Sequence, residues 1–259
     1  ALAGQPNAGK STVFNALTGL TQHVGNWPGK TVEHKSGLYK RGNITMQIVD
    51  LPGTYSLTAN SLEERIARDY ILTEQPDVVV DIVDASALER NMYLLSELLA
   101  LPAPVVLGLN MMDVAEQQGI HIEPHVLEAA LGLPVVPMVA TKNQGMQELV
   151  CVVEHLARER STYAPHRPEI REDHKAVLAQ LRQIIAEHTP PPYPPDWVAL
   201  KLFEGDEQIT HIVREHLGEA HWAQVHEILR AHEDAILAIA AGRYEWIERM
   251  VRAAVRRPR

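Results

Sequence analysis

Four short runs of apolar, largely β-branched residues punctuate the first part of the chain. They are "ITMQIVD" (residues 44–50), "DVVVDIVD" (77–84), "APVVLGLN" (103–110) and "LPVVPMVA" (133–140). Each is bounded by turn-forming residues, so each reads as a buried strand. Between them apolar side chains recur every three or four residues, as in "KSTVFNALTG" (10–19), "SLEERIARDYIL" (61–72), "ERNMYLLSELLA" (89–100), "PHVLEAALG" (124–132) and "GMQELVCVVEHLARE" (145–159). These read as amphipathic helices. Strands alternating with helices predict an α/β domain whose mostly parallel sheet is covered on both faces. One stretch breaks the alternation. "EHKSGLYKRGNITMQIVD" (33–50) reads as a hairpin turning at Arg41-Gly42-Asn43, which gives one antiparallel strand.

After residue 160 the texture changes. "STYAPHRPEI" (161–170) is a polar, proline-containing linker, and strand patterns then stop. "HKAVLAQLRQIIAEH" (174–188), "DWVALKLFEGDEQITHIVREHL" (196–217) and residues 220–255 read as three helical stretches, the first two separated by "TPPPYPPDW". The expected organisation is an α/β domain over residues 1–160 with a sheet of the six-stranded type, then a small all-α domain over 161–259.

Composition narrows the function classes. A net charge of -9, from 24 Lys+Arg against 33 Asp+Glu, disfavours a nucleic-acid-binding surface. A single cysteine, Cys151, excludes an internal disulfide and fits a reducing compartment; on "LVCVVEHL" it reads as a small core residue. No stretch has the roughly 18 apolar residues of a membrane span. The opening lacks the features of a signal peptide. It looks clipped, because only Ala1, Leu2 and Ala3 precede what should be a loop after a full strand.

That loop is "GQPNAGKST", from Gly4 through Gln5, Pro6, Asn7, Ala8, Gly9, Lys10 and Ser11 to Thr12. It fits G-x-x-x-x-G-K-[ST], a pattern that average residue usage supplies by chance in about one chain in a hundred of this length. The physics suits phosphate. Glycines let backbone N–H groups converge, and the following helix N-terminus adds positive charge. Lys10 would bridge β- and γ-phosphates and Ser11 would coordinate Mg²⁺. "DLPG" (Asp50, Leu51, Pro52, Gly53) ends the 44–50 strand, where Asp50 could hold a Mg²⁺-bound water and the Gly53 N–H could touch a γ-phosphate. "NMMD" (Asn110, Met111, Met112, Asp113) ends the 103–110 strand. A carboxylate at Asp113 can accept two hydrogen bonds from guanine, which adenine cannot offer. Ala140, Thr141 and Lys142 follow the last strand and could meet the base oxygen. Each motif alone has a bland reading as a turn. Their order, all at C-terminal strand ends where open α/β sheets bind ligands, points to a P-loop GTPase.

The same residues carry a family resemblance. "GQPNAGKSTVFNALTG", "VGNWPGKTVEHKSG", "DLPGTYSL", "LERNMYLLSELL", "LNMMDVA" and "WVALKLFEGD" resemble the cytosolic N-terminal part of the bacterial ferrous iron transport protein B (FeoB) family over essentially the whole chain. The resemblance implies a soluble GTP-binding piece. That piece would lie on the cytoplasmic side of the bacterial inner membrane, ahead of a membrane-embedded C-terminal part of the same transporter. Small cytosolic accessory proteins and homo-oligomers are further implied partners. In "VGNWPGKTVE" it implies a first switch in which Gly29, Lys30, Thr31, Val32 and Glu33 border the nucleotide and Thr31 ligates Mg²⁺. Asn7, with carbonyls of Gly25 and Trp27, would ligate K⁺ where an arginine finger would otherwise reach. Catalytic roles fall to Lys10, Asn7, Thr31 and Gly53. Trp27 is expected to be exposed in this loop.

There are departures. Gln5 stands where the family usually has Asn, and Lys30 charges a switch that is often apolar. Thr54-Tyr55 follows "DLPG" instead of a glutamine, so no side chain obviously orients the attacking water and slow turnover is expected. Two other classes compete: a ribosome-assembly GTPase, which would need a basic RNA-binding appendage, and an adaptor that binds nucleotide without turnover. For iron in this stretch the sequence offers no converging ligand set. Cys151 and His155 share a helical face, whereas His211 and His216 do not.

Overall fold

The computed structural model describes residues 1–256. The chain forms two compact units, one of residues 1–99, 103–167 and 247 onward, the other of residues 100–102 and 168–246.

The first unit is built on a seven-stranded sheet, ordered β2 (His23–Asn26), β3 (Glu33–Arg41), β4 (Ile44–Asp50), β1 (Leu2–Gly4), β5 (Val79–Asp84), β6 (Val105–Asn110), β8 (Val135–Pro137). Strands β4, β1, β5, β6 and β8 run parallel, while β2 and β3 add antiparallel pairs at one edge. The sheet is thus mostly parallel, as the alternation of patterns predicts. The strand beyond the expected six-stranded type is β2, which pairs from His23↔Ser36 to Asn26↔Glu33. Its residues are all exposed, so no apolar run announced it.

Burial follows the strand chemistry. Every residue of β6 is buried, and so are all of β5 but its last, as expected for parallel strands covered on both faces. Helices α1 (Lys10–Thr18), α2 (Leu62–Glu74), α3 (Leu88–Leu98), α4 (Met112–Gln117), α5 (Pro124–Leu131) and α6 (Met146–Arg158) connect them. Val13 and Phe14 of α1, Val80 and Ile82 of β5, Val106 of β6 and Leu149 of α6 share one core cluster. Cys151 is not part of it. The residue is exposed, and its thiol accepts from the Arg41 guanidinium at 2.8 Å. The apolar run around it belongs to Leu149, Val150 and Leu156, which face inward at helical spacing.

Asp81 is an oddity within the sheet. It sits in β5 between Ala3 and Leu107, is buried, and neither carboxylate oxygen has a hydrogen-bond partner. Desolvation pushes its carboxyl up to about 7.

The second unit is helical. It contains α7 (Glu172–Ile185), α8 (Pro195–Phe203), α9 (Glu207–Ala231) and the first part of α10 (Ala235–Ala254). The expected helix over 196–217 is broken in two. Gly205 takes φ 76°, and Asp206 caps the next helix by accepting from Ile209 N–H at 3.0 Å. The expected stretch over 220–255 is likewise divided, at a turn around His232–Asp234, and α9 itself carries a non-helical Gly218. Trp197 and Phe203 are buried in this unit's core, as their spacing predicts. A strand that the pattern does not show closes the described chain: β9 (Val255–Arg256) pairs antiparallel with β7 (His121–Ile122) in the first unit.

Candidate nucleotide site

The phosphate loop leaves β1 at Gly4 and enters α1 at Lys10. Asn7 (φ 67°) and Gly9 (φ 90°) take left-handed conformations that curl the backbone. Gly9 has a second reason to lack a side chain: a Cβ there would lie 2.2 Å from Asn110 Nδ2. The loop is pinned on several sides. Ala8 N–H donates to the Gln5 carbonyl at 3.3 Å, and the Gln5 amide donates to the Arg90 carbonyl at 2.8 Å. Asn7, Ser11 and Thr12 keep some or all of their surface in solvent, and Pro6 is half-buried.

Asp50 ends β4 beside this loop. Its carboxylate pairs with the Lys10 ammonium, and both are buried. The chain then runs on as an extension of the sheet, with Leu51 N–H donating to the Leu2 carbonyl (2.9 Å) and Thr54 N–H to the Gly4 carbonyl (3.1 Å). Pro52 and Gly53 lie between these bonds and are half-buried, and Gly53 packs alongside Pro6. The "DLPG" segment is therefore fastened against the loop of residues 4–12.

The segment beyond it is held by charge, which sequence reasoning missed. Leu57 N–H donates to the Glu97 carboxylate, and the Arg68 guanidinium donates to the Leu57 carbonyl at 3.3 Å. All three residues are buried. At the start of α2, Ser61 and Glu64 form a capping box, and Glu64 also accepts from Ser56 and from Asn60 N–H. The available signal was a charge inside each apolar helical face, Arg68 in "RIARDY" and Glu97 in "LSELLA".

Asn110 ends β6 and is buried. Its Nδ2 donates to the Ala8 carbonyl at 3.0 Å, and its Oδ1 accepts from Ala140 N–H at 3.0 Å. One amide side chain thus joins the phosphate loop to the loop after β8. Met111 turns the chain at φ 60° and Met112 begins α4, its N–H donating to the Met138 carbonyl at 3.2 Å. Asp113 follows in that first turn. Its Oδ2 pairs with Lys142 Nζ at 2.8 Å and its Oδ1 accepts from Val114 N–H at 3.0 Å. The bond from Lys142 holds the Asp113 carboxyl below the usual carboxylate range. Ala140, Thr141 and Lys142 form one turn of 3₁₀ helix, with Ala140 buried and the other two exposed.

The first-switch residues lie apart in character. Gly25 is in β2, and Gly29 (φ 68°) turns the chain toward β3. Trp27 N–H donates to the Val32 carbonyl and Lys30 N–H to the Trp27 carbonyl, both at 2.9 Å. Lys30, Thr31 and Glu33 are exposed, and Val32 is half-buried. Trp27 is not the exposed aromatic expected. It is half-buried, its ring edge-on to His34 (centroids 4.4 Å apart) and to Tyr70 of α2 (5.5 Å).

Comparison with known proteins agrees with this geometry. The family model described as "Ferrous iron transport protein B" matches residues 1–153, and that described as "FeoB cytosolic helical domain" matches residues 171–256. The Fe(2+) transporter FeoB of Shigella flexneri is 39% identical over 256 residues, covering 95% of this chain. The chain spans 32% of that relative's length. A mutant NFeoB of S. thermophilus bound to GDP superposes with a TM-score of 0.88 at 35% identity, covering 98% of each chain. The cytosolic domain of L. pneumophila FeoB gives 0.86 at 34% identity, over 99% of this chain and 98% of that one. From the linked loops, the sheet and these matches together, the chain belongs to the ferrous iron transport protein B family.

Proposed function

We propose that this chain binds and hydrolyses GTP and serves as the switch portion of a ferrous iron uptake transporter. The observation that carries the reading is the joined set of loops at the C-terminal strand ends. Lys10 is beside Asp50, Asn110 ties Ala8 to Ala140, and Asp113 is held ionised in the first turn of α4. The GDP-bound relative of the same fold supports the nucleotide class.

In this reading Gly4 to Thr12 cradle the phosphates and the Lys10 ammonium faces their charge. Asp113 receives the guanine N–H donors. Adenine offers no such pair of donors, so GTP is favoured over ATP. The oxygen donors of Ser11, Thr31 and Asp50 suit a hard ion such as Mg²⁺, with Asp50 acting through a water. The Asn7 amide, exposed at a left-handed turn, suits K⁺ together with carbonyls of Gly25 and Trp27. When bound, these ions supply positive charge against the phosphates. Gly53 offers a backbone N–H to the γ-phosphate, and Gly29, Lys30, Val32 and Glu33 border it. With no glutamine after "DLPG", turnover without stimulation is slow, on the order of 10⁻³ s⁻¹.

Residues 1–160 are then the GTP-binding domain, and 161–259 relay nucleotide state to a membrane-embedded part at the cytoplasmic face of the bacterial inner membrane. Accessory cytosolic proteins and self-association are compatible partners. Phosphate release from GTP and ATP, measured in KCl and in NaCl for the native chain and for Asn7→Ala, tests the proposal. GTP-selective release with a K⁺ advantage that Asn7→Ala removes is expected. No release from GTP, or an advantage that survives the substitution, defeats the hydrolysis or the K⁺ assignment respectively.

A further inference from the structure

The helical unit brings together three side chains that the sequence keeps far apart. His174 sits in the first turn of α7, and His232 and Asp234 lie on the turn between α9 and α10. One potential ligand atom from each lies within 4.8 Å of the other two. Two donors bound to one tetrahedral Zn²⁺ at about 2.1 Å stand about 3.4 Å apart, so a small side-chain rearrangement would close the set. That freedom exists where it is needed. His232 is half-buried and Asp234 exposed, whereas His174 is fixed by burial.

His174 supplies the second observation. Its ring is 2% exposed and lies edge-on to Phe203 at 5.4 Å. Its Nδ1 is buried with no hydrogen-bond partner, and its Nε2 stands 3.6 Å from the Asp234 carboxylate, beyond hydrogen-bond length. A buried imidazole with neither nitrogen properly bonded is costly in a folded core. A cation between His174, His232 and Asp234 would use its lone pair and give the carboxylate a partner.

We infer that His174, His232 and Asp234 form a binding site for a first-row divalent transition-metal ion of the Zn²⁺/Fe²⁺ class. Two imidazole nitrogens and one carboxylate oxygen are the donor set such ions take, and three protein ligands leave further positions for water. Mg²⁺ and Ca²⁺, which demand oxygen, are excluded by the same donors. The ion would staple the start of α7 to the α9–α10 turn. The inference is independent of the GTPase reading, because none of these residues belongs to the nucleotide loops.

The test uses the 259-residue chain, stripped of metal and saturated with GDP and Mg²⁺ so that the phosphate loop is occupied. Titration with Co²⁺ should give visible ligand-field bands that saturate at one ion per chain. Zn²⁺ should abolish the bands, and millimolar Mg²⁺ should leave them unchanged. His232→Asn and Asp234→Asn change partly exposed positions and avoid the folding risk of altering His174. Each should weaken Co²⁺ binding at least about tenfold while GDP affinity stays unchanged. Saturating Zn²⁺ should also raise the thermal midpoint of the native chain and of neither variant. Native-like binding in both variants, displacement by Mg²⁺, or no saturable binding at all overturns the proposal. In those cases His174 and Asp234 are no more than a buried base beside an acid.

Discussion

Two loops carry the proposed switch residues, and they are built on opposite plans. The first-switch hairpin from β2 to β3 keeps its hydrogen bonds to itself, Trp27 to Val32 and Lys30 to Trp27, and leaves Thr31 in solvent. The second, from Asp50 to Ser61, is bonded at Leu51, Thr54 and Leu57 to the buried residues Leu2, Gly4, Glu97 and Arg68, and at Asn60 to the half-buried Glu64. Locally opening the first breaks only bonds within the loop and uncovers one large side chain, that of Trp27. Opening the second breaks charge-assisted bonds in a dry environment and uncovers Leu51 and Leu57. The β2–β3 loop is therefore the more weakly anchored of the two, while the "DLPG" side is part of the core. Trp27 ties the first loop to α2, its ring edge-on to Tyr70.

The sharpest way to break this comparison is Glu97→Ala. It leaves the buried Leu57 N–H and its charged surroundings without their acceptor, and should cost about 3 kcal/mol of unfolding free energy. Denaturant titration measures it, and a loss under about 1 kcal/mol would show that the second loop is no better anchored than the first. Asp81, in the strand beneath, gives a pH handle on the same core. Its folded carboxyl is raised to about 7 from an ordinary 3.8, so the folded state holds a proton that the unfolded state releases. Its contribution is present below the ordinary value and declines as pH rises between the two, by up to about 1.4 kcal/mol per pH unit. Asp81→Asn should remove that slope from the stability–pH curve, and an unchanged curve would mean that Asp81 finds a partner in solution. The smallest effect belongs to the first loop. Thr31→Ala should alter stability by no more than about 0.5 kcal/mol yet slow GTP hydrolysis, a dissociation that paired denaturation and phosphate-release assays detect.

The contrast also explains what was legible in the sequence. Strand β4 was readable to the residue, because an apolar run ending in Asp-Leu-Pro-Gly has few alternatives. Strand β2 was not. Its His-Val-Gly-Asn is wholly exposed and is a strand only because β3 offers an edge. The motif residues announced the turn between β1 and α1, since glycines and a lysine at fixed spacing serve few purposes. Arg68 and Glu97 gave only an ambiguous signal, because a lone charge on an apolar helical face looks like a solvated residue until the loop it holds is seen. Cys151 failed in the other direction: an apolar neighbourhood in sequence was an exposed position in space. The break at Gly205 was misread because the apolar spacing continues across it, and the turn depends on a left-handed backbone that only the fold reveals.

The buried amide of Asn110 has a consequence for how affinity is assembled. A nucleoside triphosphate is a two-headed ligand, with a base at one end and charge at the other. A protein whose two grips floated independently would have to fix their separation anew at each encounter. Here the side chain that accepts from Ala140 and donates to Ala8 acts as a ruler set during folding. In the proposed reading, a seated base would present the phosphates to Lys10 at the effective concentration of a tethered partner, with the spacing of these two loops already fixed.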